Sequence, residues 1–436
     1  MGLPVSMEQV RALRASVGMT DEDFRRAADH ENRLRHDVMA HVHAFGDAVP
    51  VARGVIHLGM TSQDINCNTE SLLLDESLGL VCAKLARLIG ALGAQAHKWK
   101  DLACLGLTHY QAAQPTTVGK RAAAWGHDLA IALERLEHTR GTLRLRGLKG
   151  ATGTQASFLS LLGGEPAKVE ELERRFVEQL GWPADRVYTH TGQTYPRIVD
   201  AAVLGDLAVL ASACHKMCND IRLLCGRKEL DEPFEKDQIG SSAMPYKRNP
   251  MRCERATGLC RLVVSLTGAG YDTAATQWLE RTLDDSSVRR TVLPEAFLAA
   301  DGVLDTLFTV CDGLIIHEAS VRRNLLDELP FMATEHFLME AVKLGRDRQE
   351  VHEVIRRCAQ EAGMRVKQQG LENDLIERLR REPLLEGVDL DGALEPSKHV
   401  GLAPMQAARF MDEIARPVMQ RYSESIAALA RVSLRV

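Results

Sequence analysis

The sequence predicts an all-α protein built around a central bundle of long helices. Three observations point there. Apolar residues recur with alternating spacings of four and three over long stretches, which puts a narrow seam on one side of a helix. Convincing two-residue alternation is scarce. Aromatic residues are only 5% of the chain, which suits Leu/Ala helix packing.

Residues 1–61 read as short helices with a His-rich segment. The first long seam is Leu74, Leu78, Val81, Leu85, Leu88 and Leu92. A weaker set follows at Leu129, Leu133, Leu136 and Leu143. The next is Val203, Leu207, Leu210, Cys214, Met217, Ile221 and Leu224, and the last is Phe297, Ala300, Leu304, Leu307, Cys311 and Leu314. Such seams favour nearly parallel packing at small crossing angles. This places an N-terminal helical domain at 1–61, a long-helix bundle at 62–316 and a C-terminal helical domain at 317–436. The last is broken at Leu329 to Glu335 and around Gly387 to Ser397. The seams need partners, and their apolar share also suits burial between subunits.

At 436 residues, 45% hydrophobic and 26% charged, the composition is that of a soluble globular protein able to bury large cores. A formal net charge of −5 argues against nucleic acid as a bulk partner. No run reaches the roughly 18 uninterrupted apolar residues of a membrane span. The first residues lack the pattern of a signal peptide, so a cytoplasmic protein is expected. The ten cysteines contain no C-x-x-C pair and are expected to be reduced thiols. Cys214, Cys218 and Cys225, with His215 nearby, could suggest a metal set, but packing in the helix core explains them. His36, His41 and His43 have offsets that do not share one helical face, and no H-E-x-x-H occurs, so no metal site is expected.

Gly240 to Arg255 reads G-S-S-A-M-P-Y-K-R-N-P-M-R-C-E-R. It is cationic through Lys247, Arg248, Arg252 and Arg255, and Pro245 and Pro250 keep it from continuing as helix. Gly240 and Ser241 can present bare backbone N–H groups. These are the properties of a mobile loop that closes over an anionic small molecule.

The stretch resembles the signature loop of the fumarase/aspartase superfamily, in the animal-like form of its adenylosuccinate lyase branch. Six further motifs resemble that branch in the same order. They are L-R-H-D-V-M-A-H-V-H (Leu34 to His43), H-L-G-M-T-S (His57 to Ser62), T-H-Y-Q-A-A-Q (Thr108 to Gln114), T-G-T-Q-A-S (Thr152 to Ser157), T-G-Q-T-Y (Thr191 to Tyr195) and E-R-T-L-D-D-S (Glu280 to Ser286). The resemblance covers nearly the whole chain. It implies the three-domain fumarase/aspartase-like fold and a homotetramer whose active sites are shared between subunits. It also implies β-elimination of fumarate from adenylosuccinate, giving AMP, and from succinyl-aminoimidazole-carboxamide ribotide, giving AICAR. No metal or organic cofactor is implied.

Within that resemblance Ser241 matches the general base and His109 the general acid, with Lys247 beside the serine. Arg35, His36 and Asp37 match a substrate-binding triplet. Thr61 and Ser62 match contacts to the succinyl part, and Gln193 matches a contact near the reacting group. Asn249, with Lys247, is expected to shape the closed loop. Arg255, Arg281, Ser286 and Arg290 match the remaining anion and nucleotide contacts, for which arginine's fork is suited. Met60, Tyr110 and Ala112 depart from the usual residues of their motifs. Family members also carry an N-terminal segment ahead of the point where Met1 aligns, with an Arg-Tyr pair on the nucleotide phosphate. Its lack here predicts weakened nucleotide binding. A catalytically impaired relative that keeps the tetrameric fold, and a sister lyase for argininosuccinate or fumarate, are the competing readings. P-Y-K-R-N-P-M-R-x-E-R and T-L-D-D-S speak against the sister lyase.

Overall fold

A computed structural model describes residues 2–235 and 237–430. The chain opens with α1 (Met7–Ala15), α2 (Asp21–Leu34) and α3 (Asp37–Ala48), followed by a 3-10 turn at Pro50–Val55. The long α4 (Ser62–Lys98) leads into a hairpin of β1 (Ala103–Thr108) and β2 (Gln111–Thr117), then α5 (Val118–Thr142). The short α6 (Ala156–Leu161) and α7 (Pro166–Gln179) precede α8 (Ile198–Gly226) and the two-residue β3 (Leu230–Asp231). Next come α9 (Met251–Ala275), α10 (Asp285–Asp312) and β4 (Ile315–Ile316), which pairs antiparallel with β3. The C-terminal part holds α11 (Glu318–Met332), α12 (Thr334–Lys343), α13 (Arg348–Gln369) and α14 (Leu375–Arg380). It ends with α15 (Ala403–Arg409), a π-helical turn (Phe410–Ala415), α16 (Arg416–Arg421) and α17 (Ser423–Ala428).

The chain forms two compact units. The first comprises Met1–Leu80, Leu136–Leu207 and Ser265–Phe297, and the second Val81–Arg135, Ala208–Val264 and Leu298–Val436. Each of α4, α5, α8, α9 and α10 gives one part to each unit. The stretch 1–61 lies wholly in the first unit and 317–436 wholly in the second.

The seams form helices as their spacing predicts, but they do not wait for another subunit. Leu78, Leu85, Leu88 and Leu92 on α4, Val203, Leu207, Cys214 and Ile221 on α8, and Leu304, Leu307 and Cys311 on α10 are all fully buried within the single chain. The expectation of burial between subunits is therefore corrected. A four-three spacing makes a stripe narrow enough for neighbouring helices of the same chain to cover. Other faces keep their apolar groups exposed, including Leu223 on α8, Tyr271 on α9 and Leu298 on α10. By length and composition alone α4 and α8 could cross a membrane, but a large share of each apolar window is buried inside the protein. Nine of the ten cysteines are buried and none forms a disulfide, and Cys214 and Cys311 fill the seams as the spacing predicts.

Two smaller cores support the site. In the first unit Leu148, Phe158, Leu162 and Val169 pack together, with Met60 against them. Met60 thus spends its bulk on packing. Its neighbour Gly59 has φ +71, and a Cβ there would sit 2.8 Å from Leu161 Cδ1, so a glycine is required. In the second unit α11 to α14 close around Phe337, Ala341, Val351, Ala362, Leu375 and Leu379, each fully buried.

Candidate active site

The first unit carries nine of the sequence-predicted site residues. Arg35 ends α2 in the left-handed region (φ 57, ψ 36), and His36 is the N-cap of α3. The Met39 N–H donates to His36 Nδ1 at 3.3 Å, so in the neutral ring the proton sits on Nε2, which faces Ser62 Oγ at 3.4 Å. His36 and Asp37 approach each other only loosely, at 3.5 Å between half-exposed side chains. Asp37 instead accepts from Arg290 at 3.0 Å and from the Val38 N–H at 2.8 Å. Partial burial opposes its ionisation, yet those two donors outweigh burial and hold the carboxyl below its usual range.

Thr61 and Ser62 enter α4 beside a buried hub. The Asp64 carboxylate, with no exposure, accepts from the N–H groups of Thr61 (2.8 Å), Lys149 (2.9 Å) and Gly150 (3.1 Å) and pairs with fully buried Arg146. Arg146 in turn donates to the carbonyls of Gly150 (2.7 Å) and Gly192 (3.0 Å). Burial pushes the Arg146 pKa down, and Asp64 opposes the shift. Gln193 is held between two other motifs: its Nε2 donates to Ala151 O at 3.0 Å, and its N–H donates to Glu280 O at 2.9 Å. Close approach demands glycine at this crossing, because a Cβ on Gly153 would lie 1.8 Å from Thr191 O.

Arg281 and Ser286 flank the start of α10. Arg281 Nη1 donates to Asp285 Oδ2 at 2.9 Å, and Arg197 Nε donates to the same oxygen at 2.7 Å. Next to them Arg289 reaches Asp200 (2.6 Å), both oxygens of Glu70 (3.0 and 2.9 Å) and Tyr195 Oη (2.5 Å). Burial works against the Arg289 charge, but Tyr195, Asp200 and Glu70 outweigh it and raise its pKa. Burial also pushes the Tyr195 phenol well up, so it stays a neutral donor to Asp200.

The second unit carries His109, Ser241, Lys247, Asn249 and Arg255. His109 stands at the tip of the β1–β2 hairpin, which the sparse strand signal did not predict. His109 and Tyr110 form a two-residue turn with φ +52 and +59, the signs of a type I′ turn. A bulge lies between the Leu105–Pro115 and Leu107–Ala112 pairs. Gly106 permits it, since a Cβ there would lie 2.2 Å from Gln114 O. The departures at Tyr110 and Ala112 therefore sit in a hairpin that still projects His109 into solvent.

The signature loop is drawn closed at its base. Gly240 passes under the returning chain, where a Cβ would meet Lys247 O at 2.1 Å. Asn249 Nδ2 donates to Gly240 O at 3.1 Å. Glu232 accepts from the N–H groups of Arg252 (3.0 Å) and Cys253 (2.7 Å), capping α9 from the loop's other foot. Ser241 Oγ accepts from the N–H groups of Met244 (3.1 Å) and Ala243 (3.4 Å). Those donors favour a negative oxygen over a neutral one. Lys247 and Arg255 are exposed, and Arg248 stacks over Phe234 at 4.8 Å. Among the described residues, neither His109 nor Lys247 makes a side-chain hydrogen bond or ion pair.

Sequence reasoning missed Asp64, Arg146, Glu70, Arg197, Asp200, Asp285 and Arg289. These charged residues hold the motifs together, and six of the seven lie outside the motif strings. The second unit thus presents a hydroxyl, an imidazole and an ammonium group, and the first unit presents Arg35, Arg281 and Arg290.

Residues 22–265 match the family described as Lyase, and residues 330–410 match Adenylosuccinate lyase C-terminus. The chain is 47% identical to the adenylosuccinate lyase of Saccharomyces cerevisiae over 96% of its own length and 87% of the relative's. It is 41% identical to that of Schistosoma mansoni over 100% of its length and 90% of the relative's. Among solved structures, a fumarate lyase from Mesorhizobium sp. BNC1 matches with a TM-score of 0.79 at 21% identity, covering 94% of this chain and 90% of that one. A 3-carboxy-cis,cis-muconate lactonizing enzyme from Pseudomonas putida gives a TM-score of 0.78 at 25% identity, over 96% and 90%. Both structural likenesses speak to the fold, which is the all-α fold of that superfamily.

Proposed function

The chain belongs to the adenylosuccinate lyase family, a family of carbon–nitrogen lyases, and from that membership we propose how its residues divide the chemistry. The enzyme eliminates fumarate from adenylosuccinate, leaving AMP. The same elimination from succinyl-aminoimidazole-carboxamide ribotide leaves AICAR. The relationship to curated lyases over nearly the whole chain carries this reading.

Ser241, as its alkoxide, removes the proton from the succinyl carbon next to the carboxylate. The electron pair left there becomes the new C=C bond as the C–N bond breaks. His109, as imidazolium, hands a proton to the departing nitrogen, so one proton is gained and one given. A serine hydroxyl is a poor base until its anion is stabilised. The N–H groups of Ala243 and Met244 on Oγ support that role, and Lys247 on the same loop adds a cation once the loop closes. Arg281, Arg290, Arg35 and Arg255 hold the anionic groups. His36, Asp37, Thr61, Ser62, Gln193 and Ser286 line the succinyl and nucleotide positions, and Asn249 shapes the loop.

The assembly is a homotetramer with shared sites, acting in the cytoplasm in AMP synthesis. Support comes from the apolar faces of α8, α9 and α10 that the chain leaves uncovered. A silent relative is not favoured, since Ser241, His109, Lys247 and Arg281 are all present. The test is an ultraviolet assay of purified protein with adenylosuccinate, paired with an enzymatic measure of fumarate. One fumarate per AMP is expected. Binding of adenylosuccinate without fumarate release would overturn the reading.

A further inference from the structure

We infer that Asp285 is a positioning residue for Arg281, holding its guanidinium at the angle that receives a substrate anion. This rests on the proposed reading of Arg281 as an anion contact. Arg281 lies in the connection between α9 and α10, ahead of the first residue of α10. A long side chain on such a connection would sample many rotamers unless something fixed it. The Asp285 carboxylate does so through one oxygen, Oδ2, which takes Arg281 Nη1 at 2.9 Å.

That oxygen is itself anchored. Arg197, only 2% exposed at its side chain, donates to it at 2.7 Å and stacks on the buried Tyr195 ring at 4.6 Å. Asp285 has no exposure at its side chain, and its charge sits at the N-terminus of a 28-residue helix, where it is favoured. Rigidity therefore passes from Tyr195 to Arg197 to Asp285 to Arg281. Arg281 commits Nη1 and keeps Nε and Nη2, and 14% of its side chain stays accessible. One edge of the fork is held and another remains for a carboxylate or phosphate.

Freeing such a side chain costs binding through the rotamers it must then give up on each encounter. The experiment is a double-mutant cycle read in steady-state kinetics with adenylosuccinate. Asp285→Asn keeps the shape and turns an amide toward one guanidinium. It should raise KM about tenfold with kcat changed by less than about threefold. Arg281→Ala should raise KM further, about a hundredfold. In the Arg281→Ala background, Asp285→Asn should add less than about twofold. A merely structural Asp285 would lower melting temperature in both backgrounds and leave KM alone. If Asp285→Asn does not fold, Asp285→Glu retains the charge for Arg197 while displacing Arg281, and its KM should still rise. An unchanged KM in the folded Asp285 variant, or full additivity in the double variant, overturns the inference. An unchanged KM in Arg281→Ala overturns the reading beneath it instead.

Discussion

Asp64 and Arg146 form an ion pair from which solvent is wholly excluded, both side chains being 0% exposed. The pair joins residues 82 apart in sequence. Through it the start of α4, with Thr61 and Ser62, is fixed to the Gly150 turn and to Gly192, next to Gln193. Three motifs separated along the chain thus share one electrostatic centre.

Breaking one side of such a pair leaves the other charge buried and unmatched, at a cost of about 3–5 kcal/mol. Asp64→Ala also strands the N–H groups of Thr61, Lys149 and Gly150. The variant should melt far below the parent or fail to accumulate in soluble form. A melting curve that overlays the parent's would show that the pair does not support the fold.

The long helices were legible because Leu78, Leu85 and Leu92 repeat at seven-residue intervals that only a helix can use. What covers them was not legible, because spacing says a stripe needs a partner without saying whose. The hairpin under His109 was hidden for another reason: A-C-L-G-L-T has no clear alternation, and its turn uses His and Tyr where glycine or asparagine would signal a type I′ turn. Ser241, Lys247 and Asn249 stood out through an unbroken local pattern. Asp64 and Arg146 did not, since a charged residue that will be buried looks like one that will be solvated until its distant partner is known.

The hairpin tip stores backbone strain that can be relieved. Tyr110, with φ +59 and 49% exposure, is a side chain for which the left-handed region is unfavourable. Asparagine tolerates that region. Tyr110→Asn should stabilise the protein by up to about 1 kcal/mol, measured as a shift in the urea midpoint at constant slope. A midpoint that moves down would mean the tyrosine ring makes a contact worth more than the strain.

His57 should make the protein acid-sensitive. Burial is the largest effect on its ring and lowers its pKa; the Asp64 charge opposes this and His36 reinforces it. Its Nδ1 is buried without a hydrogen-bond partner. A depressed folded pKa means the neutral ring is preferred in the native state. That contribution is fully present above the unfolded value of about 6.5 and is lost as pH falls through the folded value. The parent should therefore lose more stability than His57→Gln between about pH 7.5 and about pH 5.5. Equal losses in the two proteins would remove His57 as the cause.

Shared active sites make a prediction that a self-sufficient subunit cannot meet. Ser241→Ala removes the base and should lower kcat severely while leaving substrate binding close to that of the parent. His109→Ala removes the acid and should do the same. Ser241 and His109 lie on different elements, the signature loop and the hairpin tip, and in the proposed tetramer each site takes them from different subunits. If the two inactive proteins are unfolded together and refolded as a mixture, some sites will draw an intact serine from one chain and an intact histidine from the other. Activity should then reappear, and it should depend on the mixing ratio with a maximum near equal amounts. Each variant refolded alone controls for reversion and should stay inactive. Light scattering on the same samples should give a mass near four chains. A mixture that refolds to tetramers yet remains as inactive as its components would mean that each site takes both residues from one chain, and the proposed sharing would have to be abandoned.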